Sequence, residues 1–362
     1  MRVALVVPDD IEGTSGGFYY DRRLRDRLSA HGHDVRVVSL RPPSYPRQLI
    51  DNLRPGRIAS RLDDADVVVE DGLAHPSLVA ANRRVSAPTV ALLHMVATTA
   101  REGVRRRIVR RTERRFLRGV DAAIHNSEAT RRAAERLGAP ERSAVVLPAG
   151  DRFDATSVDA ETVRKRARET PLQVTFLGNV VPRKGADTLV RGVARSDADW
   201  RLTIIGDRDL APEYADRVRE TAANAGVTDR VEFTGRLPDE MVAERLRDTH
   251  VLGLPSSYEP FGMATLEAMA FGCVPLASTV GGAAEYVEDG GNGLLIPPDD
   301  PDAVTGALDT LADRSLLAEL GTAALARHAA WPGWRETMDD AVNFLETLVA
   351  DPRRLPTAEA TP

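Results

Sequence analysis

Two rhythms of hydrophobic and polar positions alternate along the whole chain. Short apolar, β-branched runs are each followed by a helix-length amphipathic stretch, which is the pattern of βαβ units and parallel sheets. The first half contains RVALVVP, DVRVVSL, ADVVVE, TVALLH, DAAIHNS and SAVVLP, and the second LQVTFLG, RLTIIG, RVEFTG, HVLGLPS, CVPLAS and GLLIPP. Six strands followed by six strands predict an α/β protein of two facing, Rossmann-like, doubly wound domains. Ligands of such sheets bind beyond the carboxyl ends of the strands, so the active site is expected in the cleft between the domains.

The join is expected near PAGDRFDATSVD, residues 148–159, where Pro, Gly and Asp cluster after a strand. This gives an N-terminal domain over 1–155, a C-terminal domain over 156–335 and a C-terminal helix over 336–350. A polar helix is predicted over 157–168, a long amphipathic one from Trp331 to Ala350, and a disordered tail over 351–362.

The length of 362 residues agrees with two domains. A hydrophobic content of 43% with 28% charged residues is that of a soluble globular chain, and no apolar run reaches the length of a membrane span. The start MRVALVVPDD turns acidic too soon for a secretory signal and reads as a first buried strand. Cys273, the one cysteine, excludes a disulfide framework and a multi-cysteine metal site, and beside Val274 and Leu276 it reads as a packed core thiol. Both features fit a reducing cytoplasm.

Charge is divided unevenly. Residues 1–150 carry 26 arginines against 18 acidic residues, whereas residues 151–362 carry 22 basic against 36 acidic ones. Lysine occurs twice in the chain, at Lys165 and Lys184, so a lysine inside a motif stands out.

Candidate chemistry begins with SYEPFGMATLEAMAFG, residues 257–272, where Glu259 and Glu267 are the only charges. Pro260 disfavours helix at Glu259 and Gly262 permits a tight turn, so Glu259 belongs to a loop after a strand. A helix is predicted over Met263 to Phe271, with Leu266 and Met269 on its buried side. Its free amides suit a phosphate. A carboxylate beside them would repel that phosphate and is better suited to accepting hydrogen bonds from sugar hydroxyls, and Glu267 could do the same for a ribose. Structural roles for both glutamates, in a backbone-bonded loop and an interhelical salt bridge, stay open.

In FLGNVVPRKGADTLVRGVA a strand leads through a Gly-containing loop, with Gly178, into a helix, with Arg183 and Lys184 before Gly185. Two cations at such a turn can neutralise a diphosphate, and the plainer reading is a solvated basic turn. Asp207 and Asp209 spell Asp-x-Asp, read here as a cap on the following helix; no metal and no cofactor is expected.

These stretches together resemble the retaining glycosyltransferases of family 4, which have the GT-B architecture of two Rossmann-like domains. The resemblance covers nearly the whole chain and is most specific in PSSYEPFGMATLEAMAFGCVPLAS and FLGNVVPRKGADTLV. It implies a hexosyltransferase taking a nucleotide diphosphate sugar as donor, with Glu259, His94, Arg183 and Lys184 as catalytic residues. It also implies that Phe261, Gly262, Met263 and Ala264 meet sugar and phosphate and that Glu267 holds the ribose. By the same resemblance Gly178 joins the donor site, the backbone near Arg236 and Leu237 meets the base, and Gly16 and Gly17 in EGTSGGFYYDRRLRDRL lie near the diphosphate or acceptor. The chain departs from the family at Met95, where an Asp is frequent, and at Glu70 and Asp71, where a His is frequent. Both lie on the acceptor side, and the acceptor stays open between lipid-linked and saccharide.

REGVRRRIVRRTERRFLRG, residues 101–119, holds nine arginines and two glutamates. Val104, Ile108 and Phe116 fall near one helical face, with Thr112 between. Two readings stay open, a surface helix packed by a thin apolar stripe and peripheral contact with an anionic membrane at the inner face. Nucleic acid is disfavoured by the net negative charge and the scarcity of aromatics among the arginines. Other functions remain in view, a nucleotide-sugar epimerase or hydrolase and a non-catalytic nucleotide-sugar-binding scaffold. A nicotinamide dehydrogenase is disfavoured because no strand is followed by Gly-x-Gly-x-x-Gly.

Overall fold

The computed structural model describes residues 1–13, 15–40, 44–100 and 103–350. All twelve predicted strands form: β1 Arg2–Val7, β2 Asp34–Ser39, β3 Val67–Asp71, β4 Thr89–Leu93, β5 Ala122–His125 and β6 Ser143–Val145, then β7 Leu172–Leu177, β8 Trp200–Ile205, β9 Val231–Gly235, β10 Val251–Leu254, β11 Val274–Ser278 and β12 Leu294–Ile296. They make two six-stranded sheets, ordered β2-β1-β3-β4-β5-β6 and β12-β11-β10-β7-β8-β9. Every pairing is parallel. Strands covered by helices on both faces carry unbroken apolar runs, and β3, β4 and β11 are buried at every residue.

The chain divides into two compact units, Met1–Pro148 with the segment from Trp334 onward, and Ala149–Gly333. The last helix, Trp334–Ala350, thus belongs with the first sheet although it follows the second in sequence. Within that unit Arg27 makes a two-pronged ion pair with Asp339 at 2.5 and 2.6 Å, and Tyr20 meets Trp334 edge to face. The predicted polar helix is Ala160–Arg166, and the helix after Gly262 is Met263–Met269. Residues 351–362, read from sequence as a tail, lie outside the described residues, as do Arg101 and Glu102 of the basic stretch.

Each unit has its own core. One is centred on Val6, Val68, Ala91 and Phe116, the other on Phe176, Leu189, Leu252 and Phe271. Cys273 is buried in the second, its thiol turned to the carbonyls of Leu246 and Thr249 and pushed up to about 11 by burial. No helix among the described residues is long and apolar enough to cross a membrane.

Candidate functional site

In the second sheet the strand order reverses between β7 and β10, which lie side by side. Loops leaving the carboxyl ends of two such strands diverge to opposite faces and leave a crevice. The loop after β7 carries Gly178, Arg183 and Lys184, and the loop after β10 carries Glu259 to Gly262. The topology therefore collects the two cations and the first glutamate.

Side-chain geometry makes this specific. Lys184 Nζ stands 3.2 Å and Arg183 Nη1 3.5 Å from Glu259 Oε2, and Ser256 donates its hydroxyl to the same oxygen at 3.3 Å. Arg183 also donates to the Tyr258 carbonyl at 2.6 Å. Glu259 is buried, which by itself would raise its pKa, but the charges of Lys184 and Arg183 outweigh burial and hold it below the ordinary carboxylate value. Its backbone is pinned as well, donating to Val280 O and accepting from Gly282 N.

Two glycines shape this crevice. At Gly178, φ is +145° and a Cβ would stand 3.1 Å from Lys184 Nζ and 3.2 Å from its Cε, so the lysine stem lies where any side chain would be. Gly262, at φ +93°, turns the chain into the helix Met263–Met269. A Cβ there would meet the Tyr286 hydroxyl at 2.8 Å, and that hydroxyl bonds the carbonyls of Phe261 and Gly262. Met263 and Ala264 open the helix, half-buried, where first-turn amides have no intrahelical acceptor. Phe261 is buried against Tyr286 and Trp331.

Glu267 is also buried, without an ion-pair partner among the described residues, and burial raises it to about 7 against a lowering contribution from Arg152. It is not in an interhelical salt bridge. Arg236, just past β9, pairs with Asp207 rather than standing free, and Leu237 packs against the core. Asp207 does not cap the following helix: it accepts from Asp209 N at 2.7 Å in a local turn, whereas the helix Pro212–Asn224 starts at Ala211 without a side-chain cap.

In the first unit the order reverses between β1 and β3. Gly16 and Gly17 are the first two residues of the helix Gly16–Ala30, capped by Ser15, rather than a free turn. A Cβ at Gly17 would stand 3.0 Å from His94 Cδ2. His94, just past β4, is buried, and its Nε2 contacts Asp21 Oδ1 at 2.7 Å. Burial lowers the imidazole's pKa, but Asp21 and then Asp71 outweigh it, leaving His94 above its ordinary value. Sequence reading missed Asp21, which helical spacing brings under His94 only once the helix is docked. Asp71 is pushed up by burial and by Asp21. Glu70 points elsewhere, accepting from Asn82 at 2.8 Å and raised by burial to about 8. Among the described residues Asp21, Asp71 and His94 are the one group able to hold a cation, with ligand-type atoms within 4.8 Å of one another.

The basic helix spans Gly103–Leu117 and differs from its sequence pattern. Val109, Glu113, Phe116 and Leu117 are buried, whereas Val104 and Ile108 are 72% and 49% exposed among the arginines. The stripe through Val104 and Ile108 is therefore not the packing face. Glu113 is turned inward and accepts from Ala97 N, Thr98 N and the Thr98 hydroxyl at 2.6 to 3.0 Å.

The chain matches the family described as Glycosyl transferases group 1 over residues 158–326 and Glycosyltransferase Family 4 over residues 15–150. It is 32% identical over 246 residues to the D-inositol 3-phosphate glycosyltransferase of Acidothermus cellulolyticus, covering 65% of this chain and 48% of that protein. It is 34% identical over 237 residues to the protein of the same name from Stackebrandtia nassauensis, covering 61% and 53%. The chain spans about half the length of the curated relatives it matches. Among solved structures, sucrose-phosphate synthase from Thermosynechococcus elongatus superposes with a TM-score of 0.81 at 20% identity, over 96% of this chain and 99% of that one. Anabaena HepE in complex with UDP-glucose gives 0.78 at 18%, over 96% and 100%. These likenesses concern the fold alone, which is GT-B, with two Rossmann-like domains.

Proposed function

Because the chain belongs to glycosyltransferase family 4, we propose that it moves a hexose-type sugar from a nucleotide diphosphate sugar to a hydroxyl acceptor, with retention of configuration and without a metal ion. The observation that carries the reading is the convergence of Lys184 and Arg183 on the buried, ionised Glu259 at the switch point of the second sheet. A solvated basic turn would not direct both cations onto one buried carboxylate.

In this reading Arg183 and Lys184 bind the diphosphate and stabilise the charge that grows on it as its bond to the sugar lengthens. Glu259, kept ionised, accepts hydrogen bonds from the sugar hydroxyls and fixes the ring against the backbone of Phe261 to Ala264. Glu267 takes the ribose, and the backbone at Arg236 and Leu237 takes the base. In the first unit Gly16, Gly17 and His94 belong to the same reaction. The bond from the anomeric carbon to the phosphate oxygen breaks, the acceptor oxygen bonds on the same face, and the acceptor proton passes to the leaving diphosphate. In this reading Glu259, tied to Lys184, Arg183 and Ser256, positions the sugar rather than attacking it, and no double displacement takes place. Intact-mass spectrometry after incubation with donor tests this step. A covalent glycosyl-Glu259 species would overturn it.

We place the protein in the cytoplasm, with the helix Gly103–Leu117 against the anionic inner face of the membrane and no role for nucleic acid. Exposed Val104 and Ile108 among arginines support this, because apolar side chains insert while guanidinium groups meet headgroups. Vesicle flotation tests it: equal recovery with and without anionic lipid would sink the idea.

A further inference from the structure

A cavity of about 510 Å³ opens in the first unit where the chain leaves β4. Arg106, Arg107 and Arg110 line it from the helix Gly103–Leu117, and Arg136 lines it from the segment after the helix Glu128–Glu135. Its apolar side is Val96, Ala133 and Leu137. A second hollow of about 430 Å³ shares Arg107 and Arg110 and is lined wholly by arginines.

No acidic side chain lines either hollow among the described residues. Nor does any described carboxylate pair with Arg106, Arg107, Arg110 or Arg136, although chain neighbours such as Arg131 are fully paired, with Glu128 and Glu135. Glu113, on the same helix, is consumed by the backbone of Ala97 and Thr98, and Glu135, beside Arg136, is paired with Arg131. Arg106 and Arg110 are four residues apart on one helix and Arg107 and Arg110 three apart, so their like charges face each other along its surface and repel. The arginines at its first turns also oppose its dipole. An anionic phosphate among the four guanidinium groups offsets both effects, and the planar forks match phosphate oxygens two at a time.

We propose that this cavity binds a phosphate monoester or diester group. Arg136 separates the proposal from a plain membrane-facing helix, since it comes from a different element and lines the same cavity. The inference concerns binding alone and stands apart from the transfer reaction. The phosphate can come from a soluble phosphorylated compound or from a phospholipid headgroup.

Calorimetric titration of the full chain with glycerol 3-phosphate, beside flotation on phosphatidylglycerol-containing vesicles, separates the sources. The variants are Arg136→Gln and the double Arg106→Gln/Arg136→Gln, which keep the apolar stems and are checked for an unchanged melting temperature. For a soluble source, glycerol 3-phosphate binding weakens roughly tenfold per arginine while flotation is unchanged. For a headgroup, flotation falls in the same variants and glycerol 3-phosphate competes with it. The proposal is overturned if the wild-type chain binds neither probe, or if whatever it binds is bound equally by both variants.

Discussion

Lys184 Nζ stands 3.2 Å from Glu259 Oε2, and both side chains are largely buried. In that setting each charge is held by the other, so truncating one leaves its partner desolvated and unmatched. Lys184→Ala is expected to lower stability by roughly 2 kcal/mol, less than for an isolated pair because Arg183 remains at 3.5 Å. Adding Glu259→Gln should restore most of that loss without restoring donor binding. Chemical denaturation of the two single variants and the double closes the cycle, and additive losses would show that the contact carries no coupling.

Gly178 is tied to the same lysine. With φ at +145° and Lys184 Nζ 3.1 Å from where a Cβ would be, Gly178→Val should displace the lysine and strain the loop by about 1 to 3 kcal/mol. Donor affinity should fall about as far as in Lys184→Ala. A Gly178→Val protein that binds donor as tightly as wild type would mean the lysine does not hold the diphosphate.

His94 reports on Asp21. Burial lowers the imidazole's pKa and Asp21 is the largest opposing influence, with Asp71 behind it. Asp21→Asn should therefore move the titration of His94 down in pH, followed by the ring resonances in NMR. A merely structural aspartate would leave that titration in place.

Much of this was legible in the sequence, and the limits have physical causes. Apolar runs of parallel strands located all twelve strands, since burial on both faces leaves little ambiguity in composition. Pro260 and Gly262 put Glu259 in a loop by local sterics alone. The ion pair of Lys184 with Glu259 was not legible, because it depends on β7 lying beside β10. Asp21 was missed for the same reason, being one of several polar residues on its helix until docking selects it. Val104 and Ile108 were grouped with Phe116 because helical spacing permits that stripe. The packed face instead runs through Val109, Glu113 and Phe116, with a buried carboxylate that no hydrophobic pattern signals. The final helix returns to the first unit through contacts such as Arg27 with Asp339, which local sequence does not encode.

Glu267 gives a pH signature. Its folded pKa of about 7 lies above the ordinary 4.5, so the folded state binds the proton more tightly. Stability from this group is fully present below about 4.5 and is lost as pH rises through about 7, a change of roughly 3 kcal/mol. Glu267→Gln should remove that slope, so the variant gains on wild type between pH 5 and 8. Parallel stability profiles for the two proteins would show that Glu267 ionises normally.

The most direct measurement is a thermal-shift titration of the full chain with UDP-, GDP-, ADP- and dTDP-sugars in the absence of added metal, since a ligand of the native state raises the melting temperature by linkage. The predicted result is a clear rise with one nucleotide sugar that disappears in Glu259→Ala and in Lys184→Ala. No rise with any of them, or a rise that survives in both variants, would contradict a donor site built on Glu259, Arg183 and Lys184.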